Sequence, residues 1–528
     1  MPSRRLPERP DLGQLRRQAV ELRDTARAGD PGAAERIAPH LSIRTGATVT
    51  LAAAQLVIAR EHGFSSWPML KAEVEARTLS PEQRADAFLE ASVEGLTGRA
   101  VRLLEGAPQL AVFDISTAAV VGDASTARDR IARDPAVAVE ADRRRRWPPL
   151  LYVCHSHWHR IDPSRANGML EVARLLLDAG ADPNANNGLR PRCGYRSALY
   201  GATGIANNPA ITRLLLERGA NPDDDESLYH SVYHAPDFAC LRLLLEYGAA
   251  VDGTNAMAAM IDTGSADGVR LLLNAGADPG RPRPAEDAPD GYLADLSLNP
   301  LYRAIETHCI GELVALLLAA GADPNAPGRD GRTPLRLATR RGREDIAELL
   351  LGQGARDDAT GIDRFLGTCA RGDRAGAERL VALDPELVSR LSEEDLTVIV
   401  DAADDDGTEA VGLMLELGFP LEARNYNGAT ALHAAAYCGA AGLVRLLIER
   451  GADLESRDRE FGGTPLSWAT VGSGERPKYN PDGDWVGTVR ALLDAGASPE
   501  CVWVSTKPPS EEVAALLHAY GVDGEEES

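Results

Sequence analysis

Apolar positions in this chain recur as short helical phrases, not as the alternation of a strand. One phrase returns nine times: usually three leucines, then two residues, then a glycine. It closes on Gly180, Gly219, Gly248, Gly276, Gly321, Gly354, Gly418, Gly451 and Gly496. Gly321 and Gly354 stand 33 positions apart, as do Gly418 and Gly451; the other intervals are 28, 29, 39 and 45, apart from the 64 between Gly354 and Gly418. The leucines supply a helix face for burial. The glycine supplies a left-handed C-terminal cap that a residue with a Cβ adopts only at a cost. The Asp-Pro-Asn that often follows makes a turn and opens an extended finger.

A second signature stands about twenty residues ahead of several of these glycines. It reads TPLRLA from Thr333, TALHAA from Thr430 and TPLSWA from Thr464, with weaker forms NPLYRA from Asn299 and SALYGA from Ser197. Threonine caps a helix start, proline suits the first turn, and leucine then alanine face inward. Helix, turn, helix, glycine cap and finger at a period near 33 resembles the ankyrin repeat. The stretch from Asn427 to Asp453, NGATALHAAAYCGAAGLVRLLIERGAD, departs little from that family's pattern.

Degenerate copies begin at Ala87, Ala118 and Leu366, where Ala-Pro or Asp-Pro replaces the glycine cap. The resemblance implies an all-α ankyrin-repeat solenoid of roughly thirteen units between Phe88 and Val522. Residues 1–78 resemble the short helical preface of bacterial multi-ankyrin proteins, with the core AQLVIAREHGFSSW. That segment is expected to cap the array, because Leu51, Leu56, Val57, Ile58 and Phe64 need a surface to pack on. The expected organisation is the cap at 1–78, degenerate units at 81–146 and repeats at 147–280. An inserted finger loop at 281–296, repeats at 297–523 and an acidic tail at 524–528 complete it.

Charge narrows the list of partners. There are 79 acidic residues against 56 basic ones, a formal charge of -23, which repels phosphate backbones over most of the surface and argues against nucleic acid. Only Lys71, Lys478 and Lys507 are lysines, the bias of a GC-rich bacterial genome. Seven scattered cysteines suit reduced thiols. No signal-like or membrane-length apolar run is present, so a cytoplasmic location away from membranes is expected.

Catalytic motifs are missing: no phosphate loop, no dinucleotide-binding glycine pattern, no His-Glu-x-x-His. The expectation is a non-enzymatic protein with no cofactor or metal. The rival is a metal-dependent enzyme built on Cys154, His155, His157 and His159. Against it, the repeat's register ends a helix near His157, which separates His155 from His159. A third reading, an exported effector, shares the binding chemistry.

The leading reading is a scaffold or regulator that binds a protein partner on its concave face. Groove positions carried over from the ankyrin pattern hold Tyr152 and His155 in one unit, Gly201 and Gly204 in the next, and His230, Tyr233 and His234 in a third. Small residues between aromatic ridges would leave a depression with polar rims. Elsewhere the groove offers Glu306, Arg340 and Ala434, an expected solvated mixture. The fingers add Arg190, Arg192, Tyr195, Arg329, Arg332, Arg424, Tyr426 and Arg457, residue types that anchor interfaces.

Overall fold

The computed structural model describes residues 6–7, 10–40, 49, 51–189, 194–224, 226–280, 299–307, 310–328, 330–476, 480, 482–499 and 509–520. The inserted loop expected at 281–296, the tail at 524–528, Arg190, Arg192 and Arg329 lie outside them. Two compact units divide the chain: Pro68–Arg283 with Arg5–Leu12, and Pro284–Ser528 with Gly13–Trp67.

Both units are helical. Among the described residues the only β pairing is an isolated antiparallel bridge between Asn186 and Ser197. Among the described residues the first unit carries six helix pairs, from Pro81–Val93 with Thr97–Gly106 to Ala256–Asp262 with Ala266–Asn274. The described residues of the second also form six, from Pro300–Thr307 with Gly311–Ala319 to Pro465–Glu475 with Trp485–Asp494, and then the helix Glu511–Ala519. Within each unit, most first helices pack on the first helices of the neighbouring pairs. This is the helical repeat stack that the 33-residue period implies.

The capping chemistry follows the sequence phrases. The Thr333, Thr464 and Ser197 side chains accept backbone N–H groups at the starts of their helices. Leu335, Ala338, Leu432, Ala435, Leu466 and Ala469 are buried, the inward face of the TPLxxA pattern. All nine phrase-ending glycines lie at φ between 88° and 103°. At Gly180 the cap is completed by the Ala181 N–H donating to the Leu176 carbonyl at 3.0 Å.

Among the described residues, the side chain four positions beyond the glycine fastens six of the nine phrases to the next pair. Asn184 Oδ1 accepts the Asn221 N–H at 2.7 Å and its Nδ2 donates to the Gly219 carbonyl at 3.2 Å, which fastens one finger to the helix end of the next pair. Asp223 accepts the Ala250 N–H, and Asp252 the Asp278 N–H. In the other unit Asn325, Glu422 and Glu455 do the same for Arg356, Asp453 and Ser498. A rung of this ladder needs a side-chain acceptor, and Gly280 at the equivalent position has none.

In the N-terminal segment, Val57 and Ile58 are fully buried, while Leu51, Leu56 and Phe64 are half-buried. Arg36 Nη2 donates to Glu61 Oε2 at 2.8 Å and holds the Pro31–Ile37 helix to Leu51–Glu61.

Candidate partner-binding groove

The helix Pro149–His155 is short and buried along its whole length. Tyr152, expected as an exposed groove anchor, is instead an interior residue. Its hydroxyl donates to Asp142 Oδ2 at 2.5 Å, and its ring lies 5.3 Å from Trp147. Burial, and then the Asp142 carboxylate, push the phenol above its ordinary range. Asp142 also accepts the Arg145 and Trp147 N–H groups, so the ADRRRRWPP stretch from Ala141 to Pro149, the joint between the units expected at 81–146 and 147–280, closes over this helix. The boundary expected at 146–147 thereby covers the expected anchor.

His155 is also interior. Its Nδ1 donates to the Leu151 carbonyl at 2.9 Å, and its ring lies 4.9 Å from Trp147 and 6.3 Å from Tyr200. Its Nε2 is buried and has no hydrogen-bond partner among the described residues. Burial holds the imidazole neutral down to about 3.

The depression expected at the glycines is filled. A Cβ on Gly201 would overlap the His155 ring. One on Gly204 would stand 2.5 Å from His230 Cβ and 2.8 Å from Tyr200 Cε2. The two glycines let aromatic side chains of the neighbouring units lie directly on this backbone. They also sit in a widened turn, Gly201–Ile205, where the Ala206 N–H reaches back to the Gly201 carbonyl at 2.8 Å.

The third set of predicted residues is the one that reaches the surface. Tyr233 is 46% exposed. Its hydroxyl donates to the Tyr229 hydroxyl at 3.2 Å, with the rings perpendicular at 5.7 Å. His230, half-buried, stacks between Tyr200 at 4.6 Å and Tyr229 at 4.8 Å, and its Nε2 lies 3.1 Å from Glu226 Oε2. His234 Nε2 donates to the Gly204 carbonyl at 2.9 Å. Tyr229, Tyr200 and Trp147 are not among the groove positions that the repeat pattern marks. The i, i+4 spacing of Tyr229 and Tyr233 within LYHSVYH was the available signal for Tyr229.

Around these rings the charges are paired. Arg145 sits over Trp147 at 5.4 Å and donates to Glu94 Oε1 at 2.7 Å, while Arg196 reaches Glu94 Oε2 at 3.3 Å. The surface is aromatic, with its cations already engaged.

The Cys154, His155, His157 and His159 cluster is divided between elements. The first helix ends at His155, and His157 precedes the separate turn Trp158–Ile161. Burial pushes the Cys154 thiol up and holds His157 down at about 4. Among the described residues no three His, Cys, Asp or Glu side chains are placed to share a metal ion.

The remaining groove positions are corrected as well. Arg340, expected in solvent, is 7% exposed, and it donates to Asp363 Oδ1 at 3.0 Å and to Asp395 Oδ1 at 2.6 Å. Burial alone would raise Asp363. The Arg336 and Arg340 guanidinium groups and the Thr360 backbone outweigh it and bring the carboxyl to about 2. Ala434 is buried, and Glu306 is raised by burial. Packing of first helix on first helix shields these residues from water more than a helix wheel suggests. The finger arginines act as clamps: Arg332 pairs with Asp330 and Glu394, and Arg424 ties its own finger to the carbonyl of Arg457 and the hydroxyl of Ser456. Tyr426 remains 55% exposed.

Residues 301–351 match a family model described as ankyrin repeats (many copies), and residues 368–475 one described as ankyrin repeats (3 copies). The chain is similar to the nuclear factor NF-kappa-B p105 subunit of Gallus gallus, 29% identical over 35% of this chain and 19% of that protein. It is similar to the B-cell lymphoma 3 protein homolog of Mus musculus, 29% identical over 30% of this chain and 37% of that one. The human ankyrin repeat and SOCS box protein 16 is 30% identical over 36% of this chain and 42% of its own. The chain thus spans less than half the length of these curated relatives. Among solved structures, it is similar to an ankyrin repeat domain from Acinetobacter baumannii, 28% identical, covering 38% of this chain and 99% of that one with a TM-score of 0.30.

Proposed function

Because the chain is an ankyrin-repeat protein, we propose that it is a scaffold or regulator that binds a protein partner and catalyses no reaction. The partner docks on the surface formed by Tyr229, His230, Tyr233 and His234. Tyr152, His155 and Gly201 serve as its buried framework, with half-buried Gly204 against His230. One observation carries the choice of surface: Tyr229 and Tyr233 hold each other edge-to-face at 5.7 Å with Tyr233 nearly half exposed. Tyrosine offers large contact area at small entropic cost, and a pair already ordered loses little more on binding. Four buried free thiols, Cys154, Cys240, Cys369 and Cys438, support a cytoplasmic setting. Among the described residues no helix is long and apolar enough to cross a membrane.

Affinity purification of the intact protein from its native cell, followed by mass spectrometry, tests this reading. A partner retained by the wild type and lost by a folded Tyr229→Ala, Tyr233→Ala protein supports it. A partner retained equally by both places the interface elsewhere.

A further inference from the structure

The stretch 156–165 interrupts the third helix pair of the 68–283 unit, and it reaches back across the second pair to the first. Ser156 Oγ donates to the Val120 carbonyl at 2.6 Å. Trp158 lies 6.0 Å from Phe88, and its Nε1 donates to Ser92 Oγ at 3.0 Å. Between this insertion and the Thr97–Gly106 helix opens a cleft of about 730 Å3. Met69, Val101 and Ile161 supply its apolar lining, and Arg102, Arg160 and Glu105 supply its charges.

The arginines of this cleft differ from their neighbours. In the same unit Arg144 is held by Asp86 and Asp114, Arg145 by Glu90 and Glu94, and Arg165 by Asp162. Among the described residues no carboxylate pairs with Arg102 or Arg160. Arg102 Nε is buried without a hydrogen-bond partner, and its Nη1 lies across the helix start, 3.2 Å from where a Cβ on Gly98 would stand. Partial burial with no facing anion holds Arg160 below the ordinary guanidinium range. The helix itself starts with no side-chain cap and no acidic residue in its first turn, so its positive end faces the same space. In a protein of net charge -23, two guanidinium groups without a carboxylate partner thus line one opening beside an apolar surface, with Glu105 the one carboxylate in that lining.

We propose that this cleft is a docking site for a partner segment that carries a carboxylate next to a bulky apolar side chain. The carboxylate lies between Arg102 and Arg160 at the start of the Thr97–Gly106 helix, where bidentate guanidinium contacts suit its planar geometry. The apolar side chain covers Met69, Val101 and Ile161. Insertions are where a repeat array departs from its own period, and here the insertion builds one wall of the cleft. The site shares no residue with the tyrosine surface above, so either can fail without the other.

Isothermal titration of the full chain decides it. The probe is a synthetic peptide with two glutamates flanking a Phe-Leu pair, and its control replaces each Glu by Gln. Binding by the acidic peptide is expected, weakened on the order of tenfold in the Gln control and in each of Arg102→Gln and Arg160→Gln. Val101→Asp should abolish it through the apolar lining. Hydrogen exchange should show peptide-dependent protection confined to residues 97–106 and 158–161. Arg160 is exposed, so its variant keeps the fold and decides the matter even if Arg102→Gln perturbs it. No binding at about 1 mM, equal binding of the Gln control, equal binding by Arg160→Gln, or protection elsewhere overturns the proposal.

Discussion

Gly201 lies against the His155 imidazole so closely that a Cβ at position 201 would overlap Nδ1. Gly201→Ala therefore overpacks a buried contact and should cost about 1–3 kcal/mol of unfolding free energy. Removing the ring should relieve it. In a double-mutant cycle by urea unfolding, Gly201→Ala should cost clearly less in a His155→Ala background, and strict additivity would show that the two residues do not press on one another.

Acid should act through the same histidine. Burial holds His155 at about 3, against about 6.5 in an unfolded chain. The unfolded chain takes up the proton first. Stability is therefore whole above about pH 6.5 and falls by about 1.4 kcal/mol per pH unit as acid is added toward the folded value. His157 and His433, both held near 4, pull in the same direction. Between pH 7 and pH 5 the wild type should lose about 2 kcal/mol relative to His155→Gln. A difference that does not change with pH would mean that the imidazole protonates within the fold.

The finger ladder predicts a local effect. Asn184→Ala leaves the Asn221 N–H and the Gly219 carbonyl without their partner, at a cost of about 1 kcal/mol. Asn184→Asp keeps the acceptor and should recover part of it. Hydrogen exchange at Asn221 should quicken in the alanine variant while the Leu215 and Leu216 amides stay protected.

Arg340 offers a contrast between buried and exposed ion pairs. Arg340→Ala takes the closest cation from buried Asp395 and leaves Asp363 with Arg336 alone, and it should cost about 3 kcal/mol. Arg364→Ala breaks a pair with Asp357 whose side chains are both more than half exposed, and it should cost under about 1 kcal/mol. Thermal unfolding of the two variants side by side gives the comparison.

Once a partner is in hand, truncating Tyr233 together with Tyr229 should weaken it by about 2 kcal/mol or more, roughly thirtyfold, without changing the helical signal. Calorimetry reads the affinity and circular dichroism the fold. Tyr152→Ala, by contrast, should show first as lost stability, because its ring is interior and its hydroxyl is bound to Asp142.

The sequence by itself determined the local structure. A left-handed glycine closes each Leu-Leu-Leu phrase, a threonine or serine opens several of the first helices, and an inward Leu and Ala follow at fixed offsets. Each of these depends on interactions within a few residues of backbone, so the repeat could be read one phrase at a time. What faces the groove was decided only when the units stacked. The ADRRRRWPP joint folded over Tyr152, His155 came to rest on Gly201, and Arg340 met two carboxylates from later units. The insertion after His155 crossed a whole helix pair to reach Ser92. A helix wheel treats every non-core position as wet, but stacking of the first helices brings such positions from successive units within contact distance of one another. Of the expected groove residues, that left Tyr233 the most open to solvent, beside the half-buried His230 and His234 and the unforeseen Tyr229.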